Sequence, residues 1–256
     1  MPPTQGFVRA LRLEREEVPD FDRYPFAIPS IRALDRLVLH PSVTFFVGEN
    51  GSGKSTLLEA IAVRWGFNAE GGSRNFRFDT RPSHSPLHEF LALERGSRHP
   101  SDGYFLRAES FYNVATELER LDLDYGLIPP IGPAYGGTSL HEQSHGQSFF
   151  ALLTNRLHGD GLYLFDEPEA ALSPQRQMSA LTLIDDLVQR GSQLLIATHS
   201  PILLAYPKAT IYEFGEEGIR AIPYTETEQF RVTRDFLNRH EKLLPILLGE
   251  LPGLDA

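Results

Sequence analysis

The segment Gly48–Thr56, GENGSGKST, constrains this chain more than any other. It matches GxxxxGK[ST] without a gap, and such a loop works between a buried strand and a helix. Val43, Phe45, Phe46 and Val47 form the β-branched and aromatic run of a strand covered on both faces. The following LLEAIAVRW predicts a helix starting near Lys54. Between the two, Gly51 and Gly53 allow backbone conformations that a Cβ resists, so successive N–H groups can turn toward an anion. The positive end of the helix points the same way. Gly48, Asn50, Gly51, Ser52, Gly53, Lys54, Ser55 and Thr56 are thus candidate phosphate contacts. Lys54 supplies a point charge for β- and γ-phosphates, and Ser55 a hydroxyl for Mg²⁺.

A second segment, GLYLFDEPEAAL, begins at Gly161. Leu162, Tyr163, Leu164 and Phe165 predict a strand at the centre of a parallel sheet, and ligands bind at the carboxyl ends of such strands. There Asp166 is placed to hold Mg²⁺, directly or through water, and Glu167 to deprotonate a water beyond the γ-phosphate. The competing reading, that both merely cap the next helix, fits Pro168 and the phosphate loop less well. Together the two segments imply a site for a nucleoside triphosphate.

A third buried strand, Gln193 to Ala197, ends in Thr198, His199, Ser200 and Pro201, so His199 can reach the same pocket and a γ-phosphate. Upstream, Gln143-Ser144-His145-Gly146-Gln147 leads into the helical pattern SFFALLTNRL. Ser144 reads first as an ordinary helix cap, with the N–H groups near Gly146 also able to face an anion.

In this order and spacing the four segments resemble the ABC-type ATPases, a superfamily that includes transporter nucleotide-binding subunits and the heads of SMC and recombination-repair ATPases. The resemblance implies Gly48 to Thr56 as the Walker A loop, Asp166 and Glu167 as the Walker B pair, His199 as the switch histidine and Ser144 to Gln147 as the signature. The signature usually reads LSGGQ; here Gln143 and His145 stand at its first and third positions. The family implies that Ser144, with Gly146, acts on the nucleotide of the opposite subunit, hence an ATP-dependent homodimer. It also places a glutamine at a strand end between Walker A and signature. The strand Tyr104 to Arg107 is followed instead by Ala108 and Glu109, so Glu109 is either an Mg²⁺ ligand or a cap for a helix at Ser110. Transporters often stack adenine on an aromatic upstream of Walker A. Tyr24 and Phe26 lie in that region, where core packing is the favoured reading. The DEPE run with Leu172-Ser173-Pro174 looks more like SMC, recombination-repair and overcoming-lysogenization heads than like transporters. FLRAESFYNVAT and FRVTRDFLN resemble a group of stand-alone bacterial AAA-family predicted ATPases.

The expected fold is therefore α/β: a P-loop NTPase with an ABC-type head, a mostly parallel sheet flanked by helices, an antiparallel β-lobe and a small helical lobe. One domain spans 1–256, with the signature lobe inserted at roughly 66–158. At 256 residues and 41% hydrophobic, no second domain is required. No apolar run approaches a membrane span and no leader pattern is visible, so the expected location is the cytoplasm. The absence of cysteine excludes disulfides and thiol chemistry. A net charge of -10 does not favour nucleic-acid binding by this chain alone, although a basic face could still allow it. His84 and His88 lack a third zinc ligand.

Elsewhere Phe7 to Leu13 predicts an edge strand, Arg36 to His40 another, and Leu87 to Arg95 a short helix. No sustained heptad fills Gly66 to Ser101, so a coiled-coil arm is not expected. Leu127 to Thr138 reads as a surface loop, with closure on dimerisation as the alternative. Strands at Thr210 to Phe214 and Ile219 to Ile222 precede an amphipathic helix from Glu228, expected to stop or kink at Pro245 and to pack on its own domain. Three roles remain open: a soluble ATPase of genome maintenance or defence, with an unknown protein partner; a transporter subunit; and a nucleotide switch that hydrolyses little.

Overall fold

The computed structural model describes residues 6–73, 85–107, 150 and 154–250. Its centre is a seven-stranded sheet that follows from the apolar runs. β3 (Val43–Gly48), β7 (Gly161–Asp166) and β8 (Gln193–Ala197) are buried at every residue. With β6 (Asp102–Arg107) and β9 (Ala209–Gly215) they form five parallel strands in the order β9-β3-β8-β7-β6. β10 (Gly218–Ala221) and the two-residue β4 (Gly72–Ser73) close the edges antiparallel.

Alternate residues of each strand feed two cores, as a pleat of period two requires. Phe45, Tyr163, Phe165 and Ile196 pack on the side that carries α3 (Pro174–Gln189). Phe46, Leu162, Leu164 and Leu195 pack against α2 (Lys54–Trp65). Beyond α2 lies a three-stranded antiparallel sheet in the order β2-β1-β5, built from β1 (Val8–Leu13), β2 (Arg36–Val38) and β5 (Leu91–Arg95), while the four-residue α1 (Pro29–Arg32) packs by β9 and β10. Gln193 ties the sheets together. Fully buried, it accepts from Val8 N at 2.9 Å and donates to Val8 O at 2.8 Å and His40 O at 3.0 Å.

Three expectations are corrected. β1 is a central strand, because β5 covers its second edge in the register Leu13↔Leu91. Leu87 to Arg95 is not a helix: a 3-10 turn, Pro86–Phe90, capped by Ser85 gives way to β5, where pairing with β1 overrides the helix propensity of LALER. The last helix, α4 (Glu228–Leu247), starts on the cap Thr227, yet none of its residues is buried, and Val232, Phe236, Leu237 and Leu247 stand exposed. Its kink lies at Arg239 (φ −132°), not at Pro245, which sits close enough to the end that its missing N–H removes one bond of the final turn. Leu127 to Thr138, His84 and most of the expected signature lobe lie outside the described residues.

Candidate functional site

The registers bring the chemistry to one end of the sheet. Arg107 pairs with Asp166, Asp166 with Ala197, and Ala197 with Phe46 two residues before Gly48, so four parallel strands end side by side. The loop after β3 turns at Gly48, Gly51 and Gly53, with φ of 140°, 80° and 100°. At Gly53 a Cβ would also lie 2.9 Å from Ser30 Oγ, so geometry and space both require glycine. α2 then begins at Lys54, and its first N–H groups have no partners within the helix. The Lys54 side chain is buried and folds back over the loop, donating to Gly48 O and Glu49 O, each at 2.8 Å. Burial pushes its pKa down, against the pull of the Glu167, Asp166 and Glu169 carboxylates.

Ser55 Oγ donates to Asp166 Oδ1 at 2.8 Å, joining the loop helix to the end of β7. Asp166 is 6% exposed, so its carboxylate sits in the floor of the cleft. The chain then turns through Glu167 in the left-handed region (φ 52°, ψ 51°), pinned by its N–H on Ala197 O at 2.9 Å. That conformation costs a residue with a Cβ about 1–2 kcal/mol. It leaves the Glu167 side chain 43% exposed over the cleft, its Oε1 3.7 Å from His199 Nε2. The sequence-predicted Gly48, Asn50, Gly51, Ser52, Gly53, Lys54, Ser55, Thr56, Asp166, Glu167 and His199 thus meet at one end of one sheet. Glu109, Ser144 and Gly146 lie outside the described residues.

Two side chains that the motifs did not single out complete the arrangement. Glu169, the second acid of DEPE, accepts from Thr198 Oγ1 at 2.7 Å and from His199 N at 2.5 Å, so it holds the segment that carries the histidine. Arg107, read earlier only as part of a strand, stands beside Asp166. The doubled acid was visible in the sequence; its partners across the chain were not. Tyr24 corrects the core-packing reading: it is 64% exposed with Oη 3.4 Å from Thr56 Oγ1, whereas Phe26 is buried in the core as expected.

The residues fit a Mg²⁺-triphosphate. Mg²⁺ takes hard oxygen ligands and needs only one or two from protein, which Ser55 and Asp166 would supply. Among the described residues no group of three or more His, Asp or Glu could hold a metal ion. Ser52 Oγ and His199 Nε2 are shielded from solvent without hydrogen-bond partners, and a phosphate would supply them.

A family model described as "AAA domain, putative AbiEii toxin, Type IV TA system" matches residues 64–205, more than half of the chain. The chain belongs to this AAA-domain family. A second AAA-domain model matches residues 28–93, across the phosphate loop. No curated protein matches this AAA-domain chain. Solved structures similar to it include MJ1267, an ATP-binding cassette of an ABC transporter in its ADP conformation (20% identity, 84% of this chain and 92% of that one, TM-score 0.43). Others are cbiO1 from Clostridium perfringens, part of the ABC transporter complex cbiONQ (16%, 85% and 91%, 0.48), and the SMC head domain from Thermotoga maritima (15%, 84% and 98%, 0.43). Among the described residues no helix is long and apolar enough to cross a membrane.

Proposed function

We propose that this AAA-domain protein binds Mg²⁺-ATP and hydrolyses it to ADP and phosphate, working as a nucleotide-dependent homodimer in DNA maintenance or defence. The observation that carries the reading is the Ser55 Oγ to Asp166 Oδ1 bond of 2.8 Å, with Glu167 and His199 on neighbouring strand ends. Lys54 and the backbone of Asn50 to Thr56 bind phosphate oxygens. Ser55 and Asp166 hold Mg²⁺, with Glu109 as a further ligand. The ion, when bound, neutralises charge on the transferring phosphoryl group. Glu167 orients a water and takes its proton, and His199 contacts the γ-phosphate. Tyr24, exposed beside Thr56, stacks on the adenine.

Ser144 and Gly146 complete the site of the opposite subunit, and the chain 1–256 acts as one ATPase domain with its lobe inserted at roughly 66–158. The cytoplasm is the compartment we assign, in keeping with a chain free of cysteine. The defence setting is in keeping with the family description, which names a toxin of a TA system. The test is equilibrium ATP binding and steady-state hydrolysis with and without DNA, alongside solution mass. Lys54→Ala is expected to abolish binding; unchanged affinity in that variant would remove the phosphate-loop assignment. DNA stimulation with an ATP-dependent dimer supports the maintenance or defence role. Indifference to DNA refutes it and points to a protein effector.

A further inference from the structure

Arg107, at the carboxyl end of β6, lies between two carboxylates. Its Nη1 is 2.6 Å from Glu59 Oε2 on α2, and its Nε is 3.7 Å from Asp166 Oδ2. Nη1 also reaches Ala69 O at 3.4 Å. The three side chains are 21%, 10% and 8% exposed, which makes charge expensive for all of them. Each carboxylate has its other oxygen engaged: Glu59 Oε1 accepts from Ser85 N at 3.0 Å, and Asp166 Oδ1 from Ser55 Oγ.

Two features here need an explanation. Holding a phosphate loop does not require an acid on the buried face of α2, yet Glu59 is there and buried. A fixed guanidinium beside the aspartate assigned to Mg²⁺ works against a dication, because like charges in a sheltered cleft repel over several ångströms. The two features account for each other. One arginine balances Asp166 while no dication is present, and Glu59 holds that arginine at the shorter distance, away from Asp166.

We propose that Arg107 is a positioning residue that keeps the Asp166 carboxylate in place before the metal arrives and sets the Mg²⁺ concentration at which the site loads, with Glu59 as the counter-charge that weakens its hold. This rests on the reading that the cleft takes Mg²⁺-ATP. Arginine 107 and glutamate 59 then act with opposite sign. Neutralising Arg107 removes a competitor for Asp166 and lowers the Mg²⁺ requirement. Neutralising Glu59 removes one counter-charge of Arg107, strengthens its pull on Asp166 and raises it. A purely structural clamp predicts that both changes loosen the site in the same direction.

The experiment titrates Mg²⁺ into the full chain at a fixed concentration of a fluorescent ATP analogue and reads binding, not turnover. Arg107→Gln is expected to lower the half-saturating Mg²⁺ about tenfold, and Glu59→Gln, which keeps an acceptor for Ser85 N, to raise it about threefold. Thermal melting reports folding; should R107Q fail to fold, Arg107→Met takes its place with the same expected direction, a lower Mg²⁺ requirement that a structural clamp does not predict. Shifts of the same sign, or two variants at the wild-type Mg²⁺ requirement, overturn the role of Arg107 while leaving the ATP reading intact. A wild-type chain that takes up no nucleotide at any Mg²⁺ concentration overturns both.

Discussion

Replacing Glu169 by alanine removes a carboxylate that accepts from Thr198 Oγ1 at 2.7 Å and from His199 N at 2.5 Å. Thr198 is fully buried, so its hydroxyl loses a donor target that water cannot easily replace, although it still accepts from Ser200 N at 3.0 Å. A hydrogen bond to a charged group contributes about 1.5–3 kcal/mol when buried. The His199 amide is nearer solvent and recovers part of its loss, so the two together are expected to cost about 2–3 kcal/mol. For a chain of this size that lowers the midpoint of thermal unfolding by roughly 5–10 °C. The same change releases the segment that aims His199, and a displacement of about 1 Å in a positioned group lowers turnover by roughly 10- to 100-fold. Glu169→Gln keeps one acceptor and should fall between the two. Calorimetry and steady-state ATP hydrolysis on the same preparations check both arms. An alanine variant that melts within about a degree of wild type and turns over at the wild-type rate would refute the reasoning.

Gln193→Leu strands Val8 N, Val8 O and His40 O between the two sheets, and denaturant unfolding should show a loss of about 3 kcal/mol with ATP affinity unchanged. Asp102 gives the pH dependence. Burial alone would raise its pKa, but the Arg156 guanidinium and hydrogen bonds from Arg156, Tyr163 and Gly103 N–H outweigh it and hold the carboxyl below its ordinary value of 3.8. A depressed acid contributes stability that is present in full above the unfolded value and is lost as pH falls through the folded one. The loss therefore falls below about pH 3.8, and Asp102→Asn should flatten the stability profile there while remaining less stable near neutrality.

Much of the site was legible because its parts are short and local. Glycines at 48, 51 and 53, a lysine at the helix start and acids at the end of an apolar run each fix their place in the fold within a few residues. The core strands were legible for the same reason: β3, β7 and β8 read as largely apolar runs because both faces are covered. What the sequence could not display were the pairings between distant segments. LALER is helical by local preference and becomes β5 because β1 offers an open edge. Glu169 reaches Thr198, and Arg107 reaches Glu59 and Asp166, across strand crossovers that no local spacing encodes. α4 misled in the opposite sense: its amphipathic pattern predicts a packed helix, and most of its apolar residues stand exposed.

The account depends on Glu167 acting on water at a nucleotide held by the phosphate loop. The most direct measurement is ATP binding and single-turnover hydrolysis for wild type and Glu167→Gln. The account predicts ATP affinity within about twofold of wild type and hydrolysis slowed by roughly 10²-fold or more, with the dimer accumulating in the variant. A variant that hydrolyses ATP at the wild-type rate, or a wild type that binds no ATP, would contradict it.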